Sequence, residues 1–239
     1  MIVALVQPYF FPYIGYFQLM RAVDCFVFYD DAQFMKGGWV NRNRILLEGR
    51  AAWWTFPVES ADYRLPILER AYAWSDKTVG ALAAKVENAY RKAPHFHAVF
   101  PQLQARLQER IPNVAGFNRR HLQWLAQDLG IGCRFLASSE LDKDPALDGQ
   151  DRVIDICKRL GATRYINPIG GLELYDAGAF ERAGIELSFI KARPTDYAQF
   201  GEPHVPFLSI VDVLMFNTPE RSRALLGHCD LVPPAPGTQ

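Results

Sequence analysis

The densest set of groups able to hold a charged ligand lies between Met35 and Ile45. Lys36, Arg42 and Arg44 bring positive charge, Asn41 and Asn43 bring amides, and Trp39 offers a stacking face. Gly37-Gly38 leaves backbone amides open to approach, and no carboxylate intrudes. Such a set suits a phosphate, a diphosphate or a carboxylate. The competing reading is a solvated basic loop, which a tryptophan embedded among donors disfavours. Just upstream, Asp30 and Asp31 could hold a metal-bound phosphate or an amine, or supply a general base. Adjacent strand residues point to opposite faces, so at most one of the two is expected to serve.

A second unusual stretch opens the chain. QPYFFPYIGY, Gln7 to Tyr16, crowds two prolines, one glycine and five aromatic rings between an apolar run and a helical pattern. Within it, YIGY occupies the place that HIGH-type motifs hold in one class of nucleotidyl-transferring enzymes. There, a glycine at a helix mouth lets a nucleotide approach, and the helix N-terminus favours its phosphates. Here tyrosines replace both histidines, so Gln7, Tyr9 and Tyr16 can supply uncharged hydrogen bonds but no charge. The alternative is an aromatic plug at the end of the sheet, with Gly15 required by packing. A third stretch joins Asn167-Pro168 to Gly170-Gly171, with Tyr175 placed to close over a ligand; a plain turn explains it equally well. Tyr197 and Gln199 in YAQF and Asp212 in an apolar helix are weaker candidates.

The elements that must position these residues alternate. Ile2–Val6 and Cys25–Tyr29 read as buried parallel strands, with a helix from Phe17 to Val23 between them. Arg44–Leu47 and Ala52–Val58 suggest a hairpin around Glu48-Gly49-Arg50. Residues 75–130 carry about three helices, capped at Ser75 or Asp76, punctuated by Pro94 and Pro112 and closed by Gly130. Strands at Cys133–Ala137, Arg164–Asn167 and Ile185–Ile190 then alternate with helices at Asp151–Leu160 and Ala179–Ala183, and Leu208–Phe216 is helical. The expectation is an α/β, Rossmann-like, mostly parallel sheet with flanking helices. Residues 1–229 make one domain with a helical insertion at about 75–130, and 230–239 form a flexible tail. In such sheets ligands bind beyond the carboxyl ends of the strands, where all three unusual stretches fall.

The 239 residues carry 26 basic and 26 acidic side chains, so bulk nucleic-acid binding is not expected, and no DNA partner. Four isolated cysteines read as buried thiols of a reducing, cytoplasmic compartment. His95 and His97 lack further ligands in register, so no metal site is expected. No apolar run approaches the ~20 residues of a membrane span. GxSxG, P-loop, HExxH and GxGxxG motifs are missing.

Taken in order, QPYFFPYIGYF, the aspartate after the second strand, KGGWVNRNRI, the SSEL stretch, ICKRLGATRYINPIGG, GIELSF, YAQF and FLSIVDVLMFN resemble the WbqC-like protein family over almost the whole chain. Asn167-Pro168 stands where that family more usually has Ser-Gly. The resemblance implies bacterial O-antigen (lipopolysaccharide) or other surface-polysaccharide clusters, or specialised-metabolite clusters. It also implies a transferase, with glycine transfer onto a sugar among the suggested reactions. The resulting expectation is attachment of an amino-acid-like or acyl group to a phosphorylated or nucleotide-linked sugar. The donor is either activated with ATP and Mg2+ or supplied as aminoacyl-tRNA or a carrier thioester. Asp31, Lys36 and Tyr16 are the catalytic candidates, Lys36 and Arg42 hold phosphates, and Tyr9 and Trp39 pack a base or sugar. The alternative is a non-catalytic sugar-nucleotide-binding accessory protein.

Overall fold

A computed structural model of the chain describes residues 1–193 and 196–234. The apolar run Ile2–Val6 forms β1 and leads through the opening loop into helix α1, Ile14–Arg21. The helix starts three residues earlier than its apolar spacing suggests. Tyr13, extended and bridged to Ser209, is its N-cap, which puts Gly15 inside the first turn. Strand β2, Cys25–Phe28, follows, and then a hairpin of β3, Arg42–Leu47, and β4, Arg50–Thr55. Its two-residue turn has positive φ at both Glu48 (51°) and Gly49 (73°), the geometry that matches strand twist in tight hairpins.

Three helices make the insertion: α2, Asp76–Tyr90, α3, Phe96–Leu107, and α4, Val114–Asp128. Ser75 and Asn113 cap the first and last of them with side-chain oxygens. Then come β5, Arg134–Ala137, α5, Gly149–Arg159, β6, Arg164–Pro168, α6, Ala177–Arg182, and β7, Glu186–Ala192. The C-terminal part holds α7, Ile210–Phe216, α8, Pro219–Leu225, and β8, Cys229–Val232. The tail expected from residue 230 is therefore corrected at its start. Phe189 to Ala192 of β7 pair antiparallel with β8, an edge position that no alternation in CDLV announces. Residues 235–239 of that expectation lie outside the described residues.

The sheet runs β5-β2-β1-β6-β7-β8, parallel except for β8. In sheet order the strands follow the 3-2-1-4-5-6 pattern of Rossmann-like folds, and the order reverses between β1 and β6. Crossovers that travel in opposite directions along a parallel sheet place their helices on opposite faces. The two cores show this. Ala4, Val6, Phe26 and Phe28 pack with α1, the hairpin and the helical insertion. Val3, Leu5, Cys25 and Val27 pack with α5 and α6. All four cysteines are free thiols, with Cys25 and Cys157 buried. Among the described residues no helix is long and apolar enough to cross a membrane.

Candidate functional site

At the point where the strand order reverses, a cavity of about 640 Å3 opens beyond the ends of β1 and β6. That is where open α/β sheets bind ligands, and the volume falls in the ~300–1,000 Å3 range of small-molecule sites. Its wall joins the opening loop, the third loop and part of the basic loop. From the expected set it brings together Gln7, Tyr9, Gly15, Tyr16, Trp39, Asn43, Asn167, Gly170, Gly171 and Tyr175.

The aromatic crowding of QPYFFPYIGY divides by direction. Phe10 and Phe11 turn inward, their rings 4.7 and 5.1 Å from that of buried Trp54, while Tyr9, Tyr13 and Tyr16 face the cavity. The backbone of this buried loop needs partners, and distant segments supply them. The carbonyls of Gln7, Pro8, Phe10, Phe11 and Pro12 accept from Tyr16 Oη (2.8 Å), Asn118 Nδ2 (2.8 Å), Asn43 Nδ2 (3.2 Å), Ser209 Oγ (2.7 Å) and the Ile210 amide (2.8 Å). Plug and site are thus the same loop, seen from its two sides. At Gly15 a Cβ would lie 2.3 Å from the Tyr13 ring, which folds over the first turn of α1, so any side chain there would have to displace that ring. Gly171 plays the same part for Asn167, whose Nδ2 would be 2.0 Å from an added Cβ.

Two expected roles change here. Tyr16 is buried and donates its proton to Gln7 O, so its hydroxyl is engaged in holding the loop. Asn43 is likewise committed to Phe10 O and to the Arg44 amide. The polar tips that remain without a protein partner among the described residues are the Gln7 amide and the hydroxyls of Tyr9 and Tyr13.

The basic loop separates its cations. Arg42 turns back onto the loop, donating to the carbonyls of Gly37 and Gly38 and lying 4.0 Å over the Trp53 ring. Lys36 is exposed, Asn41 binds Phe56 O (2.9 Å), and none of these three lines the cavity. Arg44 does, and among the described residues it is the only charged one that does. Its guanidinium donates to Phe207 O (3.2 Å) and leaves a buried Nε without a partner. Arg42 and Arg44 share strand parity and residue type, so the sequence holds no signal to choose between them. Tyr29, directly after β2, also lines the cavity and was legible as the end of the expected strand Cys25–Tyr29.

Asp30 and Asp31 are interlocked elsewhere, with the SSEL stretch after β5. Asp30, 1% exposed, accepts from the Ser139 amide (3.0 Å) and hydroxyl (2.9 Å) and pairs with Arg119 of α4 (3.1 Å). Asp31 accepts from Ser138 Oγ (2.6 Å) and pairs with Lys143 (3.0 Å). Both carboxylates are held by protein partners, and neither lines the cavity. Tyr197 and Gln199 do not line it either. They donate to Asp212, which has no exposure and takes a third bond from Tyr90. Burial raises the Asp212 carboxyl above its usual range, with those three donors pulling the other way.

The cavity's chemistry is therefore that of neutral donors around one cation. Five phenols (Tyr9, Tyr13, Tyr16, Tyr29, Tyr175) line it, and burial raises every one of them above the ordinary 10.0. They stay protonated at neutral pH. Three amides (Gln7, Asn43, Asn167) accompany them, and among the described residues no carboxylate, histidine, lysine or cysteine lines the space. Mg2+ with a nucleotide is usually held by one or two carboxylates as well as phosphates, so the lining does not fit that pair.

An uncharacterized protein of Mycobacterium tuberculosis, Rv1507c, is 31% identical over 231 residues, which cover 95% of this chain and 98% of that one. The WbqC-like protein family matches residues 7–224, from the first residue of the opening loop to the penultimate residue of α8. The chain belongs to the WbqC-like protein family.

Proposed function

We propose that this protein is a transferase of bacterial surface-polysaccharide or specialised-metabolite biosynthesis. It holds a sugar-type acceptor in the cavity and attaches an amino-acid-like group, such as glycyl, or an acyl group to it. The observation that carries the reading is the lining itself: phenols and amides suit the many hydroxyls of a sugar, and Arg44 suits one anionic group beside it. In the reaction an acceptor amine or hydroxyl attacks the acyl carbonyl of the donor. A C–N or C–O bond forms, the donor's C–S or C–O bond breaks, and the acceptor's proton leaves with the departing thiolate or alkoxide. Protonated phenols can donate to the oxyanion that forms on the way. A lining without carboxylates supports a donor that arrives activated, as a carrier thioester or aminoacyl ester, over activation with ATP and Mg2+ at this site.

The same lining favours one other reading, because it holds neither a base nor a nucleophile: an accessory protein that binds the sugar without turning it over. Mass spectrometry of sugar phosphates incubated with glycyl and acyl thioesters decides between them. The transferase gives a product heavier by the acyl group, and Asn167→Ala or Arg44→Ala reduces it at least tenfold. Binding of the acceptor without product from any donor would leave the accessory reading standing. Amino-acid-dependent pyrophosphate exchange would overturn the activated-donor part.

A further inference from the structure

A second hollow, of about 430 Å3, lies between β4 and α2. Trp53, Lys77 and Lys85 line it, and among the described residues no carboxylate does. The two hollows are joined by a pair of tryptophans. Trp39 lines the cavity, Trp53 lines the second hollow, and their ring centroids are 5.5 Å apart. Both rings are unusually open for their size, at 39% and 43% exposure. Arg44 sits 5.7 Å from the Trp39 ring and Arg42 sits 4.0 Å from the Trp53 ring, so each indole is flanked by a guanidinium.

In a chain with equal numbers of acidic and basic residues, the two hollows are lined by three cations, Arg44, Lys77 and Lys85, with Arg42 beside Trp53, and by no carboxylate among the described residues. Large aromatic faces kept in water beside arginines are poor choices for stability alone. They are what a planar, anionic ligand requires, because a base stacks on an indole and phosphates meet guanidinium forks.

We propose that the Trp39–Trp53 pair and the adjoining hollow form a nucleotide subsite for a nucleoside diphosphate. The base stacks on the exposed part of Trp53, and Arg42, held by the carbonyls of Gly37 and Gly38, backs that ring. The diphosphate is met by Arg44, and the sugar it carries reaches into the cavity. The assignment rests on the reading of the cavity as a sugar site, and it narrows that reading from a sugar phosphate to a sugar joined to a nucleoside diphosphate.

Calorimetric titration separates the two claims. The probes are UDP, GDP, ADP, CDP and dTDP, inorganic pyrophosphate and a set of hexose 1-phosphates. At least one nucleoside diphosphate is expected to bind more tightly than pyrophosphate. Trp53→Ala weakens it tenfold or more, within the range measured for removing a stacking partner, and Trp53→Phe restores most of the affinity. Hexose 1-phosphate binding stays within twofold in Trp53→Ala, which also shows that the variant is folded, and falls in Asn167→Ala. Equal binding of pyrophosphate and all nucleoside diphosphates, or an unchanged affinity in Trp53→Ala, overturns the nucleotide subsite and leaves the sugar site standing. Nucleoside diphosphate binding that depends on Trp53, with no hexose phosphate bound, upholds the subsite and overturns the sugar reading.

Discussion

The ends of β1 and β2 lie side by side, paired from Val3–Cys25 to Val6–Phe28, yet they carry opposite chemistry. Beyond β1 the chain builds a wall of neutral donors, with some polar tips left free. Beyond β2 it places two carboxylates whose oxygens meet Ser138, Ser139, Arg119 and Lys143. The first region satisfies its backbone internally and leaves side chains for a ligand. The second satisfies its side chains internally. Charge alone is thus a poor guide to a site, and an unmet hydrogen-bonding group beside a cavity is a better one.

The contrast breaks most severely at Phe10. Phe10→Ala removes the buried ring that anchors the β1 region, and unfolding in urea should show a loss of about 3–5 kcal/mol together with loss of ligand binding. Asp30→Ala sharpens the contrast. Removing one partner of a fully buried pair costs ~3–5 kcal/mol, but Arg119 keeps Glu140 at 2.8 Å, so a loss of about 2 kcal/mol is expected. Sugar phosphate affinity should stay within twofold, and a tenfold drop would show that the β2 cluster belongs to the site. Arg44→Ala should do the reverse. The affinity for an anionic ligand falls about tenfold, and stability changes by less than about 1 kcal/mol, because no buried carboxylate loses its partner.

The smallest effect is a pH slope. His121 lies beneath the β1 loop, its ring 5.7 Å from Phe11 and 3.9 Å from Phe117. Burial lowers its imidazole below the ordinary 6.5, although bonds to Phe117 O and Arg106 O and the nearby Glu109 act in the opposite sense. Below pH 6.5 the unfolded chain binds a proton that the folded chain resists. This contribution to stability is complete above 6.5 and is lost as pH falls towards the folded value. The slope cannot exceed about 1.4 kcal/mol per pH unit for one proton. Melting curves from pH 7.5 to 5 should show it, and His121→Gln should flatten it.

Much of this was readable before any coordinates. Alternating apolar runs and helical spacing located the parallel strands and the three helices between Asp76 and Asp128, and the opening and third loops lie at the carboxyl ends of β1 and β6. The shortfalls have physical causes. Arg42 and Arg44 look equivalent until the loop folds back on one of them. Asp30 and Asp31 look available because their partners stand 107 and 109 residues away. Helix α8 was within reach: Thr218 caps it and Pro219 opens it, a start signal that the reading passed over.

Loops usually form last and matter least to the rest of a fold, but the opening loop reverses that expectation. Its carbonyls are bound by Asn118, 110 residues away, and by Ser209, 198 residues away. Contacts of such long range are reached late in folding, since the intervening chain must first be ordered. The mouth of β1 therefore works as a keystone, set only when both flanks of the arch are standing. A small molecule seated there would be expected to slow amide exchange in α4 and α7, whose residues never touch it.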